Sequence, residues 1–177
     1  MNSPLQFLTA RLDHYHALLE NIGTGQRVAA QIVRATAVDL REATKKAGWR
    51  FKWRDEARQI GREVYKLALL GAPATTQGLI SLEDRGDHTY MSLIESAPFN
   101  QGRLKQYNGV AGSLVAFACK LAFERGQEGN LAFTSKTVLI EHYEHTLGAF
   151  HYQNHQMILE TGAAVRLIQR HLKPFSS

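Results

Sequence analysis

A glycine-rich loop before an apolar segment is the feature of this sequence that points most directly to chemistry. The residues are QYNGVAGS, in which Gly109, Ala111 and Gly112 are small, and a dozen mainly apolar residues follow. The first amides of a helix have no carbonyl partner within the helix and carry a partial positive charge. We therefore predict that the amides of Val110, Ala111, Gly112 and Ser113 hold a pyrophosphate. The alternative is a tight turn that only leads the chain into a buried helix.

Four histidines near the C-terminal end raise the question of a metal site. They are His142, His145, His151 and His155. Zinc sites combine histidine with cysteine or carboxylate ligands at short spacings, and no such pattern surrounds these residues. A predicted helix and hairpin would also direct them apart, so we expect no bound metal, although one of them could act as a base. Cys119 lies among apolar residues and is predicted to be buried.

Composition indicates a single globular domain. The chain has 177 residues, 44% of them hydrophobic and 21% charged, which is enough to bury a core. One cysteine excludes an internal disulfide and is typical of a reducing cytosol. The sequence has no secretory signal and no apolar segment of membrane-spanning length. We therefore expect a cytoplasmic protein with no membrane partner.

Positive charge is concentrated in residues 41–66. The whole chain has 21 basic and 16 acidic residues, a net charge of +5. This window has nine basic and four acidic residues, so it accounts for the whole excess. Such a local field suits a polyanionic ligand, either nucleic acid or a phosphorylated cofactor, and the alternative is a solvated surface.

The N-terminal third is predicted to contain two helices and two strands. A capping box at Ser3–Gln6 and apolar residues at steps of three and four predict a helix that ends at Gly23. A strand over 27–38 and a short helix capped by Asp39 follow. Residues 49–54, WRFKWR, alternate aromatic and basic side chains, which predicts a half-buried strand with its aromatic face in the core. Interleaved aromatic and basic residues can also bind nucleic acid, but here they would lie on opposite faces.

The rest of the chain alternates strands and helices. We predict a strand over 63–70 and a hairpin of strands 76–83 and 88–98 around the turn at 84–87. A helix over 113–125, a strand over 129–135 and a helix over 137–148 follow. A hairpin over 149–160 and an amphipathic helix over 162–173 end the chain. The fold class is therefore α/β or α+β.

The loop and its neighbouring elements resemble the GNAT superfamily of acyl-CoA-dependent N-acyltransferases. The cofactor motif of that family is Gln/Arg-x-x-Gly-x-Gly/Ala between a strand and a helix, and Gln106, Gly109 and Ala111 match it. The resemblance covers about 63–160. It implies a central, mixed, mostly antiparallel sheet flanked by helices, here with an extra N-terminal helix. We expect one domain over 1–177, with a divergent part at 1–62 and a cofactor-binding core at 63–160.

The resemblance also implies the cofactor and how it is held. Acetyl-CoA would bind its pyrophosphate on the loop and insert its pantetheine arm between two splayed strands, Met91–Ala97 and Leu131–Ser135. Backbone groups around Glu95 and Ala97 would pair with the pantetheine amides. A backbone amide near Ala97 would hold the oxyanion.

Three side chains are candidates for the chemistry. By resemblance, Tyr143 is the acid that protonates the departing thiolate. Glu95 is the first candidate for the base, because some family members carry a carboxylate on this strand and its apolar surroundings would raise its pKa. Asn100 lies between the strand and the loop and could orient the acceptor amine.

The expected activity is transfer of an acetyl group from acetyl-CoA to a primary amine by direct attack. The acceptor is expected to be a small molecule or a peptide, and nucleic acid is the less favoured partner. Two alternatives stay open: a non-catalytic acyl-CoA-binding module, and an acetylase of an RNA-linked amine such as aminoacyl-tRNA. The oligomeric state, including a homodimer, also stays open.

Overall fold

The computed structural model describes residues 11–135 and 145–175, which form one β-sheet with helices on both faces. The described strands are β1 (Tyr15–Asn21), β2 (Arg27–Arg34), β3 (Arg62–Leu69), β4 (Gly78–Asp84), β5 (Thr89–Ser96), β6 (Tyr107–Asn108), β7 (Leu131–Thr134), β8 (Phe150–Gln153), β9 (Gln156–Leu159) and β10 (Leu172–Pro174). Their order is β10-β1-β2-β3-β4-β5-β7-β9-β8, and β6 pairs with β1. The β5–β7 pair is parallel, and the other described pairs are antiparallel.

Four labelled α-helices pack on the sheet in the described part of the chain. They are α1 (Ala37–Glu42), α2 (Trp53–Arg58), α3 (Val110–Glu124) and α4 (Thr161–His171). Residues 145–147 are also helical. Successive strand residues Leu79 and Ile80 face opposite ways: Leu79 packs with Trp53 beside α1 and α2, and Ile80 packs with α3. No described helix is both long and apolar enough to cross a membrane.

The apolar helix α3 is buried because it lies between the sheet and α4. Its side chains Val115 and Ala118 share one core cluster with Ala164 and Leu167 of α4. A close approach of α3 to β4 depends on Gly78, where an added Cβ would lie 2.6 Å from Val110 Cγ1. A helix that is covered on two sides needs little polar surface, which explains the apolar sequence of this segment.

The sheet opens between β5 and β7. These strands pair only from Thr89 to Met91, opposite 131–133, whereas β5 continues to Ser96. A β-bulge lies where the pairing ends, because Ser81 of β4 is opposite Leu93 and the next β4 residue is opposite Met91. Bulges bend and twist a strand, and this one coincides with the point where β5 leaves its neighbour. The result is a cleft between the two strands.

The predicted N-terminal helix is wrong over the described residues. A short 3-10 turn covers Leu12–His14, and residues 15–21 form β1 instead. Ala17 and Leu19 are buried, so the alternation of a strand decides the core contacts here. Pairing with β2 and β10 outweighs the helical spacing, since tertiary contacts routinely override local propensity. Residues 1–10, including the capping box, lie outside the described residues.

The predicted strand over residues 49–54 is also wrong. Trp49 and Trp53 are buried as expected, but Trp53 begins α2, and Phe51 is 39% exposed. The preceding helix is capped by Thr36 instead of Asp39, which occupies the third helical position of a capping box. The hairpins β4–β5 and β8–β9 and the last helix are confirmed, and α3 begins three residues earlier than predicted.

Candidate active site

The glycine loop leads directly into α3. Gly109 is the N-cap residue with φ of 95°, a left-handed conformation that favours glycine. Its carbonyl accepts the first intrahelical hydrogen bond from the Ser113 amide at 2.9 Å. The amides of Val110, Ala111 and Gly112 precede that bond and have no intrahelical acceptor. The predicted set of donors is therefore corrected to these three, because the Ser113 amide is already used.

The main chain of Gln106 fixes the loop from both sides. Its amide donates to the carbonyl of Phe99 at 2.9 Å, and its carbonyl accepts from the amide of Ile22 at 2.9 Å. The side chain of Gln106 is exposed, and so is Ala111 in the first turn of α3. The loop is thus held by its backbone, while Ala111 is exposed.

A histidine from the C-terminal end of α4 packs against the first turn of α3. An added Cβ on Gly112 would lie 2.5 Å from Nε2 of His171, so only glycine fits this contact without displacing the ring. Burial, with smaller contributions from Arg170 and Lys173, lowers the pKa of His171 to about 4. The imidazole is therefore neutral near pH 7. The sequence alone does not predict this contact, because no local signal links residues 112 and 171.

The edge of β5 that faces the cleft is identified by the strand register. Glu95 is opposite Leu79 of β4, and the Ala97 amide donates to the carbonyl of Gln77 at 2.9 Å. Because successive residues of a strand direct their backbone groups to alternate sides, Ile94 and Ser96 face the cleft. The backbone groups of Glu95 and Ala97, which were predicted to pair with the pantetheine amides, therefore face β4 instead. The Ala97 amide is also not free to hold an oxyanion.

The carboxylate of Glu95 is a structural anchor. It accepts hydrogen bonds from the amide of Arg50 at 2.7 Å, the amide of Phe51 at 3.3 Å and the indole Nε1 of Trp53 at 2.9 Å. Glu95 is only 6% exposed, and both of its oxygens are engaged. These three hydrogen bonds assign the carboxylate a structural role, and its predicted role as a general base stays a prediction that none of them supports. The carboxylate instead holds the segment before α2 against β5.

Asn100 is likewise committed to structure. Its Nδ2 donates to the backbone carbonyl of Gln77 at 3.1 Å and to the Gln77 side-chain oxygen at 2.9 Å. Its Oδ1 accepts from the amide of Tyr107 at 3.1 Å. Asn100 is 6% exposed, so the predicted role in orienting an acceptor is wrong. This network fixes the turn between β5 and the glycine loop.

Tyr143 and His142 lie outside the described residues, so the predicted acid stays a prediction. Among residues 11–135 and 145–175, no group of three His, Cys, Asp or Glu side chains is arranged to hold a metal ion. Cys119 is fully buried in α3, and burial raises the pKa of its thiol to about 12. The cysteine is therefore a protonated core residue.

Two tyrosines line a cavity that the sequence analysis did not predict. The cavity has a volume of about 490 Å³ and includes Tyr90, Phe133, Tyr152 and Glu160 in its walls. The hydroxyl of Tyr90 lies 3.2 Å from Oγ1 of Thr134, which bridges β5 and β7 near the point where they separate. Tyr90 is thus close to the base of the cleft in the register, because its neighbour Met91 ends the β5–β7 pairing.

Comparisons with known proteins give structural matches only. No protein-family model and no curated protein matches the sequence. A mutant of the toxin AtaT, bound to the C-terminus of the antitoxin AtaR and to acetyl-CoA, matches with a TM-score of 0.54 at 14% identity, over 78% of this chain and 97% of that one. The KacTA–DNA complex contains a chain that matches with a TM-score of 0.53 at 14% identity, over 80% of this chain and 99% of that one.

A third match is the ribosomal-protein-S18-alanine N-acetyltransferase from Escherichia coli. Its TM-score is 0.51 at 16% identity, over 84% of this chain and 95% of that one. These likenesses extend over nearly the whole length of the matched chains, and the mixed, mostly antiparallel sheet agrees with them. The protein therefore has the same fold as these proteins, which is the GNAT fold that the resemblance implied.

Proposed function

We propose that the protein transfers an acetyl group from acetyl-CoA to a primary amine. The observation that carries this proposal is the cleft between β5 and β7. The first amides of α3, a helix that packs on one face of the same sheet, accompany it. Structural neighbours that bind acetyl-CoA or acetylate an alanine support the same class of chemistry. Acetyl-CoA would supply an activated acyl group and a thiolate leaving group.

The residues of the loop fit a pyrophosphate. The amides of Val110, Ala111 and Gly112 have no intrahelical acceptor, and the positive end of the α3 dipole favours an anion beside them. The exposed side chain of Ala111 is too small to block that approach. Arg103 and Lys105, both exposed in the preceding turn, add positive charge to the same loop.

The free edge of β5 fits an extended amide-containing chain. Ile94 offers its N–H and C=O toward the cleft, and Ser96 offers its N–H, while the Ser96 carbonyl accepts from Nε2 of Gln101 at 2.6 Å. No described strand pairs with this edge beyond Met91. A pantetheine arm would add to it as a strand does, through backbone hydrogen bonds.

In this proposal the bulge at Ser92 supplies the backbone amide that Ala97 cannot. Ser92 has no partner in the β4 register, and the extra residue of a bulge is left unpaired. A donor that is fixed in place stabilises the charge that develops on an acyl oxygen. We assign that role to the bulge and keep Tyr143 as the proposed acid for the thiolate.

The test is a turnover assay with a panel of primary amines, in which release of the CoA thiol is measured. We expect acetyl-CoA to raise Tm, because it binds only the folded state, and we expect thiol release to depend on the amine. A Tm increase with no release for any amine would favour a non-catalytic acyl-CoA-binding module. Absence of any Tm increase would overturn the proposal.

A further inference from the structure

Most of the positive charge in residues 41–66 is exposed and has no carboxylate partner. Arg62 is paired with Glu56 and Glu83, and the buried Lys66 is paired with Asp39 at 2.7 Å. The other cations of the window are exposed and form no ion pair with a described residue, and we call them the basic face. They are Arg41, Lys45, Lys46, Arg50, Lys52, Arg54 and Arg58.

Three arginines of the basic face line one crevice between α1 and α2. The crevice has a volume of about 220 Å³, with Arg41, Arg54 and Arg58 around the apolar residues Leu40 and Ala57. Guanidinium groups donate paired hydrogen bonds that match the geometry of phosphate oxygens. Arginines without a carboxylate partner can therefore donate to phosphate groups.

An exposed aromatic ring lies in the next crevice. Phe51 lines a cavity of about 200 Å³ together with three cations, Lys45, Lys52 and Arg54, and one carboxylate, Asp55, and Arg54 also lines the arginine crevice. The ring is 39% exposed and stands edge-on to the buried Trp53, with centroids 6.4 Å apart at 86°. Phe51 is therefore held on a rigid support among cations, instead of on the opposite face as the sequence alternation had predicted.

We propose that the basic face binds single-stranded nucleic acid, with phosphates in the arginine crevice and a base stacked on Phe51. Proteins that hold single strands combine a cationic groove with aromatic rings on which bases stack. In a duplex the bases are already stacked on one another, so an exposed ring favours a single strand. An acidic protein partner would use the cations but gain no stacking contact from Phe51.

The basic face is joined to the cleft through Glu95. This carboxylate on β5 binds the amides of Arg50 and Phe51, so the ring is tethered to the strand that borders the cleft. A strand of nucleic acid on Phe51 would lie next to that segment of β5. This inference goes beyond the proposed acyl transfer and does not depend on it, because binding can be measured without acetyl-CoA.

The experiment measures the fluorescence anisotropy of a labelled single strand of about 12 nucleotides, a length within known single-strand site sizes. RNA and DNA versions of one sequence distinguish the two kinds of strand, and either one binding supports the proposal. Between about 50 mM and 200 mM salt we expect log K to fall against log salt with a slope of about −3. Replacing Arg41, Arg54 and Arg58 together by Gln should flatten that slope by about 2.

Phe51→Ala tests the stacking contact. We expect it to weaken binding by about five-fold to 150-fold with little change in the salt slope, because it removes no charge. A matched charge control replaces Arg27, Arg166 and Arg170 by Gln; all three are exposed, and the last two are on α4 across the sheet. This control should bind nearly as tightly as the parent.

Three outcomes would overturn the proposal. The first is no binding of either strand at 50 mM salt by a protein that is folded, as a cooperative thermal unfolding transition shows. The second is equal loss in the control and in the Arg41, Arg54 and Arg58 variant, which would indicate general charge attraction. The third is unchanged affinity in folded Phe51→Ala, which would exclude the stacking contact and leave a polyanion without bases, such as an acidic protein, as the partner.

Discussion

At the scale of single residues, the first turn of α3 combines features that each have a separate physical reason. Gly109 has the left-handed φ that the turn requires, whereas Gly112 leaves room for the ring of His171. Ala111 is exposed between them and has no packing role on the described surface. Substitutions at Ala111 therefore test ligand binding with less risk to the fold than substitutions at either glycine.

Ala111→Asp should abolish the Tm increase caused by CoA. A carboxylate would repel the pyrophosphate, while an acidic residue in the first turn of a helix does not destabilise the helix itself. Ala111→Ser is the matched control, since it adds a small neutral group and should keep most of the increase. If Ala111→Asp binds CoA as tightly as the parent in a thermal shift titration, the loop does not hold the pyrophosphate.

Tyr143→Phe should lower kcat by about 10²–10⁴-fold, the usual contribution of a positioned acid or base. The change removes only the hydroxyl, so Tm and CoA affinity should stay the same. Tyr152→Phe and Tyr90→Phe are the matched controls, measured in the same amine assay. Full activity of Tyr143→Phe together with a loss in Tyr90→Phe would transfer the acid role to the phenol at the base of the cleft.

At the scale of elements, the segment between α1 and α2 is held in place mainly from β5. Three donors of residues 50–53 converge on Glu95, which is 42 to 45 residues away along the chain. Buried Trp53 begins α2 and packs with Leu79 and Ala97 of the same sheet face. The anchor thus couples a helical segment to the strand that forms one wall of the cleft.

Glu95→Gln should reduce stability without changing the chemistry. The neutral amide would still accept from one or two of the donors but more weakly, and we expect a loss of about 1–3 kcal/mol in unfolding free energy. Urea unfolding measures this loss, and the pH profile of kcat/KM should keep its shape. A stable variant whose activity is lost at neutral pH and recovers at high pH would restore Glu95 as the base.

At the scale of the whole molecule, the two faces of the sheet differ in the helices and the charge that they carry. The face with α3 and α4 contains the large apolar core, and it supports the first turn of α3 through His171. The opposite face carries α1, α2 and the basic face.

Stability should fall between pH 6.5 and about 4 through His171. Its pKa is lowered in the folded state, so in this range the unfolded chain binds more protons, and unfolding becomes more favourable as pH falls. His171→Gln removes this group and should make Tm less dependent on pH in that window. Carboxylates titrate in both proteins, so the difference between the two Tm profiles is the measurement. Identical profiles would contradict a buried neutral imidazole.

The sequence by itself determined the elements that carry local signals. The loop at Gly109 and the apolar helix after it were predicted, because a glycine turn and a long apolar run act over neighbouring residues. The hairpin around 84–87 followed from its turn residues, and the hairpin around Gln153 and Asn154 followed in the same way. The concentration of positive charge in residues 41–66 was also found from the sequence, since it depends only on the composition of that segment.

The tertiary structure alone decided which side chains are available at the site. Glu95 and Asn100 have the residue types of catalytic groups, yet Glu95 accepts from an amide 45 residues away and Asn100 donates to Gln77, 23 residues away. The WRFKWR alternation predicted that Phe51 packs inward, but the hydrogen bonds to Glu95 and the start of α2 turn the ring outward. Residues 15–21 became a strand because β2 and β10 pair with them. Each of these outcomes depends on contacts between residues far apart in the chain, for which local spacing contains no information.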